Sequence, residues 1–262
     1  AMILAFSVLA CALMGVEWGV HMHAARLGRQ IELVLRRRFA EKLPRLPDRY
    51  MHSRPVSDMA KRCHDLHEVR VIPTLFVRLG AVLGAILVAI VGIIWIAPDL
   101  WPWALCAGGV ALAIPLGFRP ALEERDLRVR THAGALGQFY LDAVFAHSAI
   151  RAHGAEQNVD REHEALMVDW ARAAWQRAHA VIGLTITQMA IGTALAGWML
   201  YRYTQVGGEA HGVLLLAYWA AALPAMGEEL AYLLRRIPAV RNTTLRLLEP
   251  LAAPDDASMA IR

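Results

Sequence analysis

Lysine is almost absent from this 262-residue sequence, which contains only Lys42 and Lys61. Neither lysine follows a glycine, so there is no GxxxxGK[ST] loop, in which backbone N–H groups and a lysine hold the phosphates of a nucleotide. We therefore predict that this chain is not itself an ATPase. No Ser/His/Asp or Cys/His set has a spacing that supports catalysis from sequence alone.

Cysteine is also scarce. Cys11, Cys63 and Cys106 lie far apart and form no CxxC pair, which excludes a disulfide framework and any zinc motif of known spacing. His21 and His23 are two residues apart, so they lie on different faces of a helix and cannot bind one metal ion together. We predict no metal site and no cofactor in this chain.

Charged residues make up only 19% of the sequence and hydrophobic residues 57%, whereas soluble domains have about 25% and about 45–50%. The apolar excess is concentrated in blocks. An apolar helix of about 20 residues crosses the hydrocarbon core of a bilayer. We interpret five blocks as membrane spans, at about 2–23, 74–97, 101–118, 180–204 and 211–234.

The positive charge lies between these blocks. All but two of the 27 Lys and Arg residues fall within 24–73, 119–179 and 235–262, and the links 98–100 and 205–210 carry none. The positive-inside rule places the basic stretches on the inner side and both links outside. This predicts an integral protein of a bacterial inner membrane. Because the N-terminus would then be outside, we expect a first span to be missing from a set of six.

The net charge of +4 does not indicate nucleic-acid binding. The basic residues flank apolar spans, and within 119–179 carboxylates roughly balance the arginines. A solvated or partner-facing helical surface fits this mixture better than a phosphate-binding stripe.

The inner stretches are predicted to be helical extensions of the spans. Ile31, Leu35, Phe39 and Leu43 recur every four residues within 26–46, which is typical of an amphipathic helix. Prolines at 44 and 47 are expected to end it.

The second long inner stretch repeats this design. We predict a helix through 123–136, a turn near 140–155 that includes Gly154, and a returning helix through 162–178. The predicted fold class is all-α, a polytopic membrane helical bundle with long helices that extend into the cytoplasm.

Three ordered motifs accompany this topology. They are Leu46-Pro47-x-x-Tyr50-x-x-x-Arg54-Pro55-x-x-Asp58-x-x-x-Arg62, then Ala149-Ile150-Arg151-Ala152-x-Gly154, and finally Arg246-Leu247-Leu248-Glu249-Pro250. Together they make the chain resemble the transmembrane domain of an ABC exporter of the six-helix (type I) family. The family usually has glycine where this chain has Ser57.

The resemblance implies a transmembrane (permease) domain over 1–250 and, over 251–262, the start of a linker toward a nucleotide-binding domain. It implies two coupling helices, near 47–57 and 142–153, that dock on that domain, which carries ATP and magnesium. It also implies a second transmembrane half, in a homo- or heterodimer. The residues expected to contact the nucleotide-binding domain are Tyr50, Arg54, Asp58, Phe145, His147 and Arg151.

Polar residues within the spans are candidates for a substrate cavity, because they are costly in lipid. These are Glu17, Gln188, Glu228 and Glu229. One interpretation is an acid-lined cavity for a cationic or amphipathic substrate. The other is hydrogen bonding between helices or, for the last two, a position at the inner boundary.

Gly80 and Gly84 match the small-xxx-small spacing of closely packed membrane helices. Spans rich in Ala and Gly also produce this match by chance. It therefore adds little to the predicted packing.

Two other functions compete with an exporter. A membrane sensor or assembly subunit would have the same helical hairpins, no transport and no ATPase partner. A secondary transporter would show an inverted repeat of spans, and the sequence shows none.

Overall fold

The computed structural model describes residues 2–52, 56–207 and 210–255, and within them the chain forms helices and turns but no β-strand. This confirms the predicted all-α class. The helices are α1 (Met2–Lys42), α2 (Asp48–His52), α3 (Val56–Asp65), α4 (Ile72–Ile96), α5 (Trp101–Phe145), α6 (His147–His153), α7 (Glu156–Gln205) and α8 (Ala210–Ala252). Short 3-10 turns lie at Leu43–Arg45, Leu66–Val71 and Pro98–Leu100.

Within the described residues, five helical segments are long and apolar enough to cross a membrane. Their number equals the number of predicted spans. At most 33% of the most apolar window of any of them is buried within the chain, so most of this apolar surface is left for another apolar phase or another chain. The segments are Ser7–Arg45, Arg62–Ile96, Pro98–Phe145, Glu156–Gln205 and Gly212–Ala252.

The predicted links between spans are short turns. Pro98–Leu100 joins α4 to α5 as a single 3-10 turn. After α7, Gly207 has a φ of 79°, a left-handed conformation that glycine adopts without a steric penalty. Residues 208 and 209 of the second link lie outside the described residues.

Helices α1, α5, α7 and α8 run without a break through both apolar and polar sequence. Helix α1 has 41 residues and covers the predicted span 2–23 and most of the predicted amphipathic helix 26–46. It ends at Lys42, where Pro44 enters a 3-10 turn, as predicted. Helices α5 and α7 have 45 and 50 residues. The turn predicted near 140–155 contains the separate helix α6.

The chain divides into two compact units whose boundaries fall within α4 and α8: residues 1–84 with 236–262, and residues 85–235. In the first unit, Phe39, Leu66, Val69 and Leu247 form a buried cluster. Ile31 and Leu35 pack against it, which confirms three of the four residues of the predicted amphipathic face. The fourth, Leu43, lies in the 3-10 turn and is exposed.

In the second unit, α5 and α7 have the most extensive helix–helix packing. Leu122, Leu184 and Ala231 form a buried cluster that joins α5, α7 and α8. Small residues allow close approach elsewhere: a Cβ on Gly108 would lie 2.3 Å from Ile90 Cδ1, and one on Gly92 3.1 Å from the Trp219 ring.

The small-xxx-small pair chosen from sequence behaves differently. A Cβ on Gly80 or Gly84 would have no neighbour within 4 Å in the part of the chain that the structure describes. Close packing within this chain therefore uses other glycines.

Candidate functional site

The second reversal of the chain is built around helix α6. Helix α5 ends at Phe145, and the backbone N–H of Ala146 still donates to the carbonyl oxygen of Asp142, at 2.8 Å. Gly154 ends α6 with a φ of 59°, and the next N–H, of Ala155, donates to Ile150 O at 3.0 Å. This left-handed closure lets α7 begin at Glu156 and return beside α5.

The surface of this reversal exposes apolar and basic side chains together. Phe145 is 83% exposed, and Val144 beside it is also exposed. His147 and Arg151 lie exposed on α6, which has no buried residue. Full burial of a phenylalanine contributes roughly 1.5–3 kcal/mol, so Phe145 is a candidate anchor for a partner surface.

Noncovalent contacts join α5 to α7 next to the reversal. The Tyr140 hydroxyl and His163 Nε2 share a hydrogen bond of 3.0 Å, and the Phe139 ring stacks on the His163 ring at 5.8 Å. Farther along, Arg177 Nε of α7 lies 2.9 Å from Asp126 Oδ1 of α5. These contacts tie the two helices together along their polar halves.

The first reversal contains helix α2, again a short helix at a predicted coupling position. The Tyr50 N–H donates to Pro47 O at 2.8 Å, and the Tyr50 side chain is half-buried. Arg54 lies outside the described residues. Asp58 belongs to α3, but its side chain also lies outside the description.

A buried arginine holds the C-terminal part of α8 in the first unit. Arg62 of α3 is 5% exposed, and its Nη1 donates to Glu249 Oε2 and to Arg246 O, both at 2.8 Å. Lys42 also forms an ion pair with Asp255. The Lys42 ammonium also donates a hydrogen bond to the Asp255 carboxylate. This hydrogen bond holds the pKa of Asp255 below its usual value. Arg62 belongs to the first of the three ordered motifs, but no sequence pattern indicates that its side chain is buried.

Gln188 is the buried polar residue of the second unit. Its side chain on α7 is 1% exposed, and Nε2 donates to Pro224 O of α8 at 3.4 Å. Oε1 is buried without a hydrogen-bond partner among the described residues. A Cβ on Gly227 would lie 1.7 Å from Gln188 Nε2, so the missing side chain of Gly227 makes room for the amide. The structure thus places Gln188 in the contact between α7 and α8.

The three acidic cavity candidates are placed differently. Glu17 is exposed on α1 in the first unit. Glu228 and Glu229 are half-buried on α8 in the second unit, directly after Gly227. Across the described residues, no group of three or more His, Cys, Asp or Glu side chains is arranged to hold a metal ion.

Comparison with known proteins adds no family assignment. No model of a protein family matches the chain, and no curated protein sequence is significantly similar to it.

We predict that Gly227→Ala destabilises the second unit. The new methyl group would overlap Gln188 Nε2 and approach Ala111 O at 2.9 Å, and overpacking costs about 1–3 kcal/mol. Thermal unfolding in detergent measures the effect. Gly183→Ala on α7 is the control, because a Cβ there meets no described atom within 4 Å and alanine favours the helix. Equal stability of the two variants would contradict this packing.

We also predict that Arg62→Ala loosens the C-terminal part of α8. The variant removes charge-assisted hydrogen bonds from a buried site, and each contributes about 1.5–3 kcal/mol. Trypsin cleavage after Arg246 should become at least about fivefold faster, because cleavage follows the population of the opened segment. Arg37→Ala, which breaks an exposed pair with Glu41, should leave the rate unchanged. Equal rates in both variants would refute the role of Arg62.

Proposed function

We propose that this chain is the transmembrane (permease) part of an ATP-driven exporter of the six-helix ABC type. The observation that carries the proposal is the combination of membrane-length apolar segments with long polar extensions that reverse at the short helices α2 and α6. The basic stretches beside these segments favour a bilayer as their surroundings, in the bacterial inner membrane.

The geometry supports mechanical coupling. Helix α5 has 45 residues and, at 1.5 Å per residue, reaches about 68 Å from the outer link to the second reversal. Pro115 and Pro120 lie inside α5 and weaken its backbone hydrogen bonding, so transmission of a displacement along it would depend on its contacts with α7. Its pairing with α7 through Tyr140, His163, Asp126 and Arg177 opposes independent bending.

In this account ATP and magnesium bind to nucleotide-binding domains outside this stretch of sequence. Their closure on ATP would push α2 and α6, and the membrane segments would switch a cavity from inward- to outward-facing. Hydrolysis would reset it. One such half has too few spans to enclose this cavity, so the working unit would be a homo- or heterodimer.

The substrate contacts in this proposal are acidic. In the second unit, Glu228 and Glu229 would line the cavity and favour a cationic or amphipathic substrate, and Glu17 of the first unit would be a separate acidic candidate. Gln188 would support the cavity from the α7–α8 contact, since its amide already packs against Gly227.

The test is made on the second reversal, in the transporter assembled with its nucleotide-binding domains. We expect Phe145→Ser and Arg151→Glu to lower substrate stimulation of ATP hydrolysis at least about fivefold, because each removes an anchor for the partner. The unfolding temperature should stay unchanged, because both side chains are exposed.

Arg161→Glu is the matched control, with the same charge reversal at an exposed site of α7 beyond the reversal. It should leave the stimulation intact. If neither test variant changes the stimulation, α6 is not a coupling element. If no ATPase associates with the chain at all, the membrane sensor or assembly subunit becomes the better account.

A further inference from the structure

A groove lies on the surface between α5 and α7, in the second unit. Its volume is about 630 Å³. The side chains that give it chemical character are Glu124, Arg125 and Arg128 from α5, and Trp175, Gln176 and His179 from α7. Neither the coupling role of α6 nor the proposed substrate cavity uses these residues.

The wall formed by α7 is aromatic. Trp175 is 68% exposed, although it is among the largest apolar side chains. The His179 ring packs edge-to-face on it, with ring centres 4.5 Å apart. His179 Nδ1 lies 2.9 Å from the carbonyl oxygen of Trp175. A carbonyl oxygen only accepts, so Nδ1 is the donor. The other ring nitrogen, Nε2, is left for a ligand.

The wall formed by α5 is basic. Arg128 Nη2 is 2.6 Å from Glu124 Oε1, so one positive charge is already neutralised. Arg125, also on the groove, makes no ion pair with any described residue. The wall therefore has one uncompensated positive charge. Its two planar guanidinium groups can bind a phosphate with paired N–H donors.

The groove lies where both helices change from apolar to polar sequence. The apolar block of α5 ends at Phe118, three residues before Ala121 of the groove, and the apolar block of α7 begins at Ala180. Side chains on a helix tilt toward its N-terminus, so those of Arg125 and Arg128 lean toward the apolar half of α5. Phe118 and Ile182, within one turn of the groove, expose large apolar side chains.

We infer that this groove binds the phosphate headgroup of an anionic phospholipid, with the acyl chains on the adjoining apolar side chains. The inference rests on the proposed membrane placement of the chain. Tryptophan is enriched at the membrane interface, and basic pockets between membrane helices bind anionic headgroups on the cytoplasmic side. A free phosphate would use the arginines alone, whereas the neighbouring Phe118 and Ile182 surface suits a lipid.

The test is native mass spectrometry of the full chain, purified in detergent and titrated with phosphatidylglycerol. Arg125→Ala with Arg128→Ala should weaken the tightest lipid site about tenfold to thirtyfold. Arg125→Lys with Arg128→Lys should lose less, because the charge remains. The control is Arg37→Ala with Arg161→Ala, two exposed arginines that do not line the groove. It should leave the affinity unchanged.

Three results would overturn the inference. These are equal lipid affinity in the groove and control variants, equal affinity of the unchanged chain for phosphatidylcholine, and binding of glycerol 3-phosphate as tight as that of the lipid. The last result would make the groove a site for a soluble phosphate.

Washing membranes with alkaline carbonate distinguishes a wrong lipid site from a wrong membrane placement of the chain. A chain released by the wash does not span the bilayer, and the proposed function then fails. A chain that is retained but insensitive to the groove substitutions removes only the lipid site. Unfolding temperatures of all variants establish that a lost affinity does not reflect a lost fold.

Discussion

Continuity of the helices across the change from apolar to polar sequence is the constraint on which this structure depends. In an apolar phase every N–H and C=O must be paired within the segment. Helices α1, α5 and α7 continue from apolar into polar sequence, although Pro115 and Pro120 of α5 have no N–H to donate. The short helices α2 and α6 lie where the chain reverses between longer helices.

Specific contacts join the long helices to their neighbours within each unit. In the second unit, α5 and α7 are joined at three levels: the Tyr140–His163 hydrogen bond, the Asp126–Arg177 ion pair and the Leu122–Leu184 core. Gln188 joins α7 to α8 where Gly227 leaves room for an amide. In the first unit, Arg62 attaches the end of α8 to α3. The attachments thus combine hydrogen bonds and ion pairs with one apolar cluster.

Much of the helical layout could be predicted, because it depends on local patterns. Apolar run length, the four-residue spacing through Phe39, proline after Lys42 and glycine at 154 each act within a few residues. Tertiary contacts could not be predicted. Gly80 and Gly84 have the spacing of a packing motif but meet no described atom, whereas Gly227 accommodates an amide 39 positions earlier in the chain. The spacing of glycines in one helix does not indicate which other helix packs against them.

The most direct test determines on which side of the membrane single introduced cysteines lie, in a variant that lacks Cys11, Cys63 and Cys106. An impermeant maleimide would be applied to intact cells and to inverted membrane vesicles, with cysteines at His52, Asp99 and Ser148. If both reversals lie on the inner side and the link 98–100 on the outer side, cysteines at 52 and 148 react only in inverted vesicles and a cysteine at 99 reacts only in intact cells. Labelling of 52 or of 148 in intact cells would contradict this account, because both reversals would have to lie on the inner side of the membrane.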